Sequence, residues 1–352
     1  MIKLSWMLPP RPDNRAIVLV SISVISLIGL VLVAKSVFAP EEWYRDGKIR
    51  AAYVERLNES LASRLRDVGM NCVILRLGWF DPINQSQVAQ LKDCQAACSR
   101  HGLNLVVAVY FCSSDSGIAV QGRQYVAQDG EEKGVSCPTD PAYWAVLGDE
   151  LVGLAGMGVS GVVLDMEMYT GQVRTYSPAG CMCDACFSRF IQRPGMLGIV
   201  ELNGSERSAW LEENGYSAGY GDRMRIEVAN LARATAKRVG SRSLLGFMLW
   251  DDTWFYNGVL DGFGSVTRSV VVLDESSYDG WSKVNAERAV QLGSRAIYLP
   301  GLHCGRVAGE QFADQAWTCA GAVGSAGYWI FGLRDDYWDW LKDANRRVEA
   351  LA

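Results

Sequence analysis

The feature that most limits what this chain can fold into is an alternation. Short apolar, β-branched runs recur along it, each followed by a longer stretch with helical character. The runs are Cys72-Val73-Ile74-Leu75-Arg76-Leu77, Leu105 to Phe111, Gly161-Val162-Val163-Leu164-Asp165, Leu244 to Trp250, Val270-Val271-Val272-Leu273, Ala296 to Leu299 and Tyr328 to Phe331. Runs apolar on both faces belong to strands that are covered on both sides, and strands separated by helices run parallel. Lys35-Ser36-Val37-Phe38-Ala39 supplies an eighth candidate strand. Ile49 to Val68, with Tyr53, Leu57, Leu61 and Leu65 four apart, is predicted as one amphipathic helix ended by Gly69. Further helices are predicted over about 86–100, 141–155, 221–239 and 337–350. The polar, Gly-rich stretch 112–136 is predicted as loop, and 191–220 as an irregular insertion of loop and short helix that would serve as a lid.

Eight such units close into an α/β (β/α)8 TIM barrel; a doubly wound sheet is the alternative. The barrel is preferred because polar and aromatic residues mark so many strand C-termini, the face on which barrel active sites assemble. The 352 residues are 49% hydrophobic, ample for one large core, although length alone suggests two domains.

The fourth run ends in acid: Asp165-Met166-Glu167-Met168-Tyr169. Residues two apart leave a strand by the same face, so Asp165 and Glu167 share one. Two carboxylates so placed repel, and one holds its proton more tightly, as a general acid must. Strand-end capping or pairing with arginine is the plainer alternative. Soon afterwards comes Cys181-Met182-Cys183-Asp184-Ala185-Cys186. Three thiolates this close suit one tetrahedral metal and would strain as mutual disulfides. Cys137, in Cys137-Pro138-Thr139-Asp140-Pro141-Ala142-Tyr143, is the candidate fourth ligand. Four thiolates leave no open position, so such a Zn2+ would be structural; disulfides in an oxidising compartment are the alternative.

These residues resemble glycoside hydrolase family 42, the clan A β-galactosidases. In that family an acid Glu ends barrel strand 4, a Cys-x-Cys-x2-Cys-x3-Phe segment follows, and a fourth Cys lies upstream in Cys-Pro-x-x-Pro-x-Tyr. Glu167, Cys181, Cys183, Cys186, Phe190 and Cys137 fall in matching order, over residues 135–190. The family's Asn before the acid is Met166 here. Asp-x-Glu is also similar to the tail of the family 18 chitinase signature Asp-x-x-Asp-x-Asp-x-Glu, whose earlier Asp positions are Ser160 and Val163 here. The resemblance implies a TIM-barrel glycosidase with Glu167 as acid and a cysteine zinc cluster after strand 4.

On the barrel reading one rim collects Trp79, Tyr110, Asp165, Glu167, Tyr169, Asp251, Asp252, Asp274, Glu275, Tyr278, His303 and Arg334. Glycoside hydrolysis needs a second carboxyl or an equivalent. The family places a Glu at the end of strand 7, where this chain has Leu299-Pro300-Gly301. Three options stand: Glu275 or Asp274 from strand 6; Asp251 or Asp252 from strand 5; or a substrate acetamido group, with Asp165 orienting it and Tyr278 steadying it. Trp79, Tyr110, Tyr169, Asp252, Asp274, Tyr278 and His303 are the candidate substrate-binding residues. The expected activity is hydrolysis of an extracytoplasmic carbohydrate. A barrel that has lost catalysis and binds glycan or protein is the alternative.

Two histidines, His101 and His303, exclude a multi-histidine zinc site. His101, before Gly102, is expected at a helix end. The net charge of −5 is dispersed, with no basic patch, so nucleic acid is not an expected partner. Residues 1–15 are polar with Lys3, Arg11 and Arg15; residues 16–34 are apolar and uncharged, long enough to cross a bilayer. This predicts a cytoplasmic segment 1–15, a transmembrane anchor or signal sequence over 16–34, and a barrel over 35–352 held outside the cytoplasm. Val37-Phe38-Ala39 resembles a signal-peptidase site; cleavage after Ala39 would give a secreted protein.

Overall fold

The computed structural model of the chain describes residues 43–351, apart from 46, 112–121, 167–179, 193–201, 250–253 and 268. The chain enters through a short 3-10 turn, Trp43–Arg45, and forms β1 (Ile49–Val54), α1 (Glu59–Asp67), β2 (Cys72–Gly78), α2 (Gln85–Arg100) and β3 (Asn104–Tyr110). An antiparallel hairpin follows, β4 (Gln124–Val126) and β5 (Glu132–Ser136), then α3 (Pro141–Gly156) and β6 (Gly161–Asp165). Three helices come next, α4 (Asp184–Ile191), α5 (Gly204–Glu213) and α6 (Ser217–Val239). The remainder alternates: β7 (Leu244–Leu249), α7 (Trp254–Gly264), β8 (Val270–Asp274), α8 (Lys283–Gly293), β9 (Ile297–His303), α9 (Gly309–Gly321), β10 (Gly327–Phe331) and α10 (Trp338–Glu349).

Strands β1, β2, β3, β6, β7, β8, β9 and β10 form a closed parallel barrel, as the alternation predicts. Their alternate residues divide between two cores. Ala51, Ile74, Val106, Ala108, Val163, Leu273, Leu299 and Trp329 fill the lumen, while Ala52, Val73, Val107, Leu164, Val272, Leu302 and Ile330 face the helices. Below the lumen, at the N-terminal ends of the strands, Trp43 and Tyr44 pack against the lumen residues. Ser269, one residue before β8, donates its hydroxyl to Tyr44 Oη at 3.2 Å.

Two expectations change. The first barrel strand is Ile49–Val54, inside the stretch predicted as helix; all six of its residues are buried. The four-residue spacing of Tyr53 with the leucines misleads because the chain turns at Asn58, whose side chain accepts the Leu61 N–H and starts α1. The candidate strand 35–39 lies outside the described residues. The predicted loop 112–136 contains the β4–β5 hairpin. The short helix expected in the insertion is α5, begun by a reciprocal Asn203/Glu206 cap. Among the described residues no helix is long and apolar enough to cross a membrane. The apolar run 16–34 lies outside them.

One buried acid ties a loop of the upper face to the helical layer. Glu150, on α3 and 1% exposed, accepts the Phe80 N–H at 2.7 Å from the loop after β2. Its other oxygen has no partner among the described residues. Burial pushes its carboxyl well above the usual carboxylate range, because an ionised carboxylate there would lose its water without gaining a counter-charge. A raised folded pKa gives stability that is full below about pH 4.3, the ordinary Glu value, and that falls as pH rises through the folded pKa. Glu150→Gln keeps the shape and the acceptor but cannot ionise. We expect its melting temperature to gain on the parent between about pH 5 and about pH 8. A constant difference between the two proteins across that range refutes the assignment.

Candidate active site and metal centre

The C-terminal mouth of the barrel is built from lumen-facing residues at the ends of successive strands. Asp165 closes β6 two residues after the lumen residue Val163, and is paired in register with Tyr110 at the end of β3. The Tyr53 hydroxyl, from β1, donates to Asp165 Oδ2 at 3.5 Å. Burial above all, then the negative charges of Asp165 and Glu275, push the Tyr53 phenol far up against the opposing pull of Arg76. Tyr53 is therefore a fixed hydrogen-bond donor, and Asp165, Glu275 and Arg76 all lie within electrostatic reach of it. Glu275, just past β8, is 3% exposed and donates its backbone N–H to Leu249 of β7 at 2.9 Å.

Aromatic rings floor this mouth. Tyr278 stacks on Phe331 at 5.7 Å and meets Trp329 at 5.5 Å, and Tyr53 meets Phe331 at 5.4 Å. His303, at the end of β9, packs on Tyr278 and Phe331 with centroids 5.6 and 5.3 Å away. Its Nδ1 lies 2.8 Å from the Cys304 carbonyl, which can only accept, so Nδ1 carries the hydrogen. Trp79, in the loop after β2, is half-buried, and its carbonyl accepts from Gln87 at 3.1 Å.

The seventh barrel strand does not stop at Leu299-Pro300-Gly301 but runs on to His303. Gly301 is paired with Trp329, and a Cβ at Gly301 would stand 2.7 Å from the indole Cε2. The space for a lumen side chain at that position is filled by the indole. That is the physical reason it bears no carboxylate.

Asp274 is placed apart from the other candidates. It is the last residue of β8, on the face opposite Leu273, and is fully buried. Its carboxylate accepts from Tyr298 Oη at 2.5 Å and from Arg288 Nη1 at 3.1 Å, between the barrel and α8. Its carboxylate is turned away from the lumen, toward the helical layer. Of the other candidates, the structure gathers Asp165, Tyr110, Glu275, Tyr278 and His303 at the mouth. Glu167, Tyr169, Asp251 and Asp252 lie outside the described residues. Sequence reasoning missed Tyr53 and Arg76: the first because β1 was predicted as helix, the second because it stands inside an apolar run. The Asn58 cap signal was the clue to the first.

The four cysteines come together. The sulfurs of Cys137, Cys181, Cys183 and Cys186 lie within 4.8 Å of one another and all four residues are buried. A tetrahedral tetrathiolate centre with metal–sulfur bonds of about 2.3 Å has sulfurs about 3.8 Å apart. Cys137 and Cys186 stand 3.5 Å apart, so the donor set fits a metal ion. The sulfurs also meet hydrogen-bond donors, the usual support of a metal thiolate. Val126 N–H points at Cys181 at 3.4 Å, Arg123 at Cys183 at 3.8 Å and Arg189 at Cys186 at 3.7 Å. The centre joins the hairpin-bearing loop after β3, through Cys137, to the segment after β6. Cys72, Cys94, Cys98, Cys304 and Cys319 are buried free thiols. Burial raises each of them, so they are inert.

His101 ends α2, as expected, and pairs with Glu59 at 2.7 Å.

No family model matches the sequence, and no curated protein matches it. Solved structures share the fold. The catalytic domain of beta-amylase from Paenibacillus polymyxa superposes with a TM-score of 0.57 at 10% identity, over 86% of this chain and 99% of that one. An exo-beta-agarase gives 0.51 at 12% identity over 82% of this chain, and the agarase AgWH50C 0.53 at 10% over 83%. The chain spans 46% and 48% of those two agarase chains.

Asp274 supplies a test of this division between site and scaffold. Asp274→Ala would strand the Arg288 charge and the Tyr298 hydroxyl. We expect a loss of about 3–5 kcal/mol in urea unfolding, the usual effect of removing one partner of a buried pair. A loss below about 1 kcal/mol, typical of a surface pair, contradicts the placement.

Proposed function

We propose that the protein is a glycoside hydrolase acting on an extracytoplasmic carbohydrate, with Glu167 as general acid. The observation that carries this reading is the mouth itself. Asp165, on the fourth barrel strand two residues before Glu167, meets Tyr53 over an aromatic floor, and Glu275 lies beside them. Carboxyls above stacked rings are what cleavage of a glycosidic bond requires: one to protonate the leaving oxygen, another to attack the anomeric carbon or activate water, and a flat apolar surface for the sugar. The barrels it resembles bear glycosidase names, which agrees with this reading, while identities of 10–12% speak for the fold alone.

Asp274, paired with Arg288 on the outer face of the barrel, is less accessible than Glu275 as the second carboxyl. Asp251 or Asp252, after the fifth barrel strand, would serve as base or nucleophile in one route, and two further routes use the residues at the mouth. In one, Glu275 attacks or activates water. In the other, a 2-acetamido group of the substrate attacks its own anomeric carbon, Asp165 orients it under the Tyr53 hydroxyl, and Tyr278 steadies it. In both, Glu167 delivers the proton to the departing oxygen. A second reading is favoured by one observation: the strand 7 position that would carry an acid is Gly301, filled by Trp329. On that reading the barrel binds glycan or protein without cleaving it.

A panel of glycans and aryl glycosides separates these possibilities. Glu167→Gln should lower turnover by at least about 10²-fold, the scale of general acid catalysis. Glu275→Gln should do the same if Glu275 is the second carboxyl. Should the substrate supply the group, Glu275→Gln stays active, Asp165→Asn does not, and only 2-acetamido sugars are cleaved. Turnover unchanged in Glu167→Gln would sink the assignment, and silence from the folded parent protein favours the binding module.

We also propose that the four-cysteine centre holds a structural Zn2+. Cys137, Cys181, Cys183 and Cys186 would be its ligands, and the ion would brace the segment that leads away from Glu167. Purified protein should contain about one zinc per chain. Cys186→Ser should abolish it and lower the melting temperature. Retention of full zinc by that variant refutes the ligand set. Residues 16–34 are proposed as the membrane anchor, with the barrel outside the cytoplasm; fractionation and protease protection of the tagged chain test this. Recovery in the soluble cytoplasmic fraction would refute it.

A further inference from the structure

The mouth carries three arginines that the proposed reaction does not use, and all three are presented in one way. The guanidinium of Arg76 lies 5.0 Å from the centre of the Tyr110 ring, that of Arg306 5.9 Å from Tyr278 and that of Arg334 5.8 Å from Tyr337. Each is paired with a single acid: Glu55 at 2.9 Å, Asp279 at 3.5 Å and Asp336 at 3.0 Å. Those acids are 74%, 80% and 61% exposed, so the pairs are surface pairs open to exchange; Arg334 holds Asp336 through both Nε and Nη2 at 3.0 Å, which leaves Nη1 outside that pair. An arginine stacked on a ring keeps its fork of donors fixed and available for a second anion.

Arg306 and Arg334 share a rigid platform. The turn after β9 is closed by the N–H groups of Arg306 and Val307, which donate to the His303 carbonyl at 3.0 and 3.2 Å. Cys304 N–H donates to the Phe331 carbonyl at 2.9 Å, tying the turn to β10. The Tyr337 hydroxyl completes the staple, accepting from Gly305 N–H at 3.0 Å and donating to the Val307 carbonyl at 2.5 Å. Gly305 has φ +101°, and a Cβ there would stand 3.1 Å from Arg334 Nη1. The glycine is needed both for the backbone and to let the second guanidinium lie against the turn that carries the first.

We propose that the glycan bound at this mouth is acidic, and that Arg306 and Arg334, on the platform around Gly305, hold its carboxylate or sulfate group. Arginine forks match both anions with paired hydrogen bonds. The exposed acids Asp279 and Asp336 keep the guanidinium groups in place until the sugar anion displaces them. A neutral sugar would need only the rings, and would leave this stapled pair without a use. The inference names the substrate class of the site proposed above and rests on reading the mouth as a glycan site, but not on catalysis.

Affinity electrophoresis of the metal-replete full chain in detergent tests it, with Glu167→Gln present to prevent turnover. The gels contain polygalacturonate, dextran sulfate, neutral dextran or polyglutamate. Retardation is expected from at least one acidic glycan and not from neutral dextran or polyglutamate. Polygalacturonate alone identifies a carboxylate, dextran sulfate alone a sulfate. The pair Arg306→Gln and Arg334→Gln should weaken binding at least about tenfold. Gly305→Ala, which keeps both charges but displaces Arg334, should weaken it several-fold with circular dichroism unchanged. The proposal fails if neither acidic glycan retards the chain, if neutral dextran or polyglutamate does so equally, or if the folded double variant binds as the parent does. Binding of an acidic glycan without hydrolysis by the parent supports this inference and sinks the catalytic reading. Hydrolysis of neutral glycans by a chain that ignores acidic ones does the reverse.

Discussion

The barrel closes where β1 meets β10, and that seam depends on a missing side chain. Gly327 pairs with Ile49 at φ +153°, and a Cβ there would come within 2.0 Å of the Ile49 carbonyl oxygen. With the backbones that close, the register of β1 against β10 places Ala51 opposite Trp329 and so sets the height of every later residue on both strands. Tyr53 then reaches Asp165, and Trp329 fills the space above Gly301. A closed sheet covered on both faces has no room for polar groups along its length, so they collect at the strand ends. Asp274, at the end of β8 but turned toward the helical layer and fully buried, shows what such burial takes: Arg288, Tyr298 and the Ser276 N–H all bond its carboxylate.

Much of this architecture is legible in the residues because the determining signals are local. Val270 to Leu273 reads as a strand buried on both faces wherever it is met, and Cys181-x-Cys183-x2-Cys186 asks for a fourth thiol, which Cys137 supplies. What misleads is also physical. Ile49 to Val54 is followed at once by an amphipathic helix, and leucines at helical spacing on one side of Asn58 lend their period to Tyr53 on the other. Asp274 and Glu275 are adjacent acids with the same composition signal. Only the parity of β8 sends one to a buried ion pair outside the barrel and the other to the mouth. Trp329 illustrates a third kind of blindness. That its indole replaces an acid on the neighbouring strand depends on a pairing between positions 28 residues apart.

The mouth thus joins two kinds of polar group with different freedom. Asp165 and Glu275 are buried, held by strands and by Tyr53, and their geometry is inherited from the barrel. The arginines of the rim stand on rings and turns, with exposed acids as placeholders. On the proposed reading, rigid inner carboxyls with an exchangeable outer ring of cations would separate the bond to be acted on from the features by which a sugar polymer is chosen. The Tyr337 hydroxyl holds the rim together, since its two hydrogen bonds bind the turn after β9 to the loop after β10.

The cysteine centre has a thermodynamic side. Its sulfurs come from positions as far as 49 residues apart, and they span the gap between the third and fourth barrel strands. A ligand that binds only the folded arrangement stabilises it by mass action, by about 1.4 kcal/mol for each tenfold rise in its free concentration above the dissociation constant. The firmness of the cysteine-bearing segment around Cys181 to Cys186 would then follow the metal content of its surroundings. In that sense this part of the fold would be buffered by a supply set outside the protein.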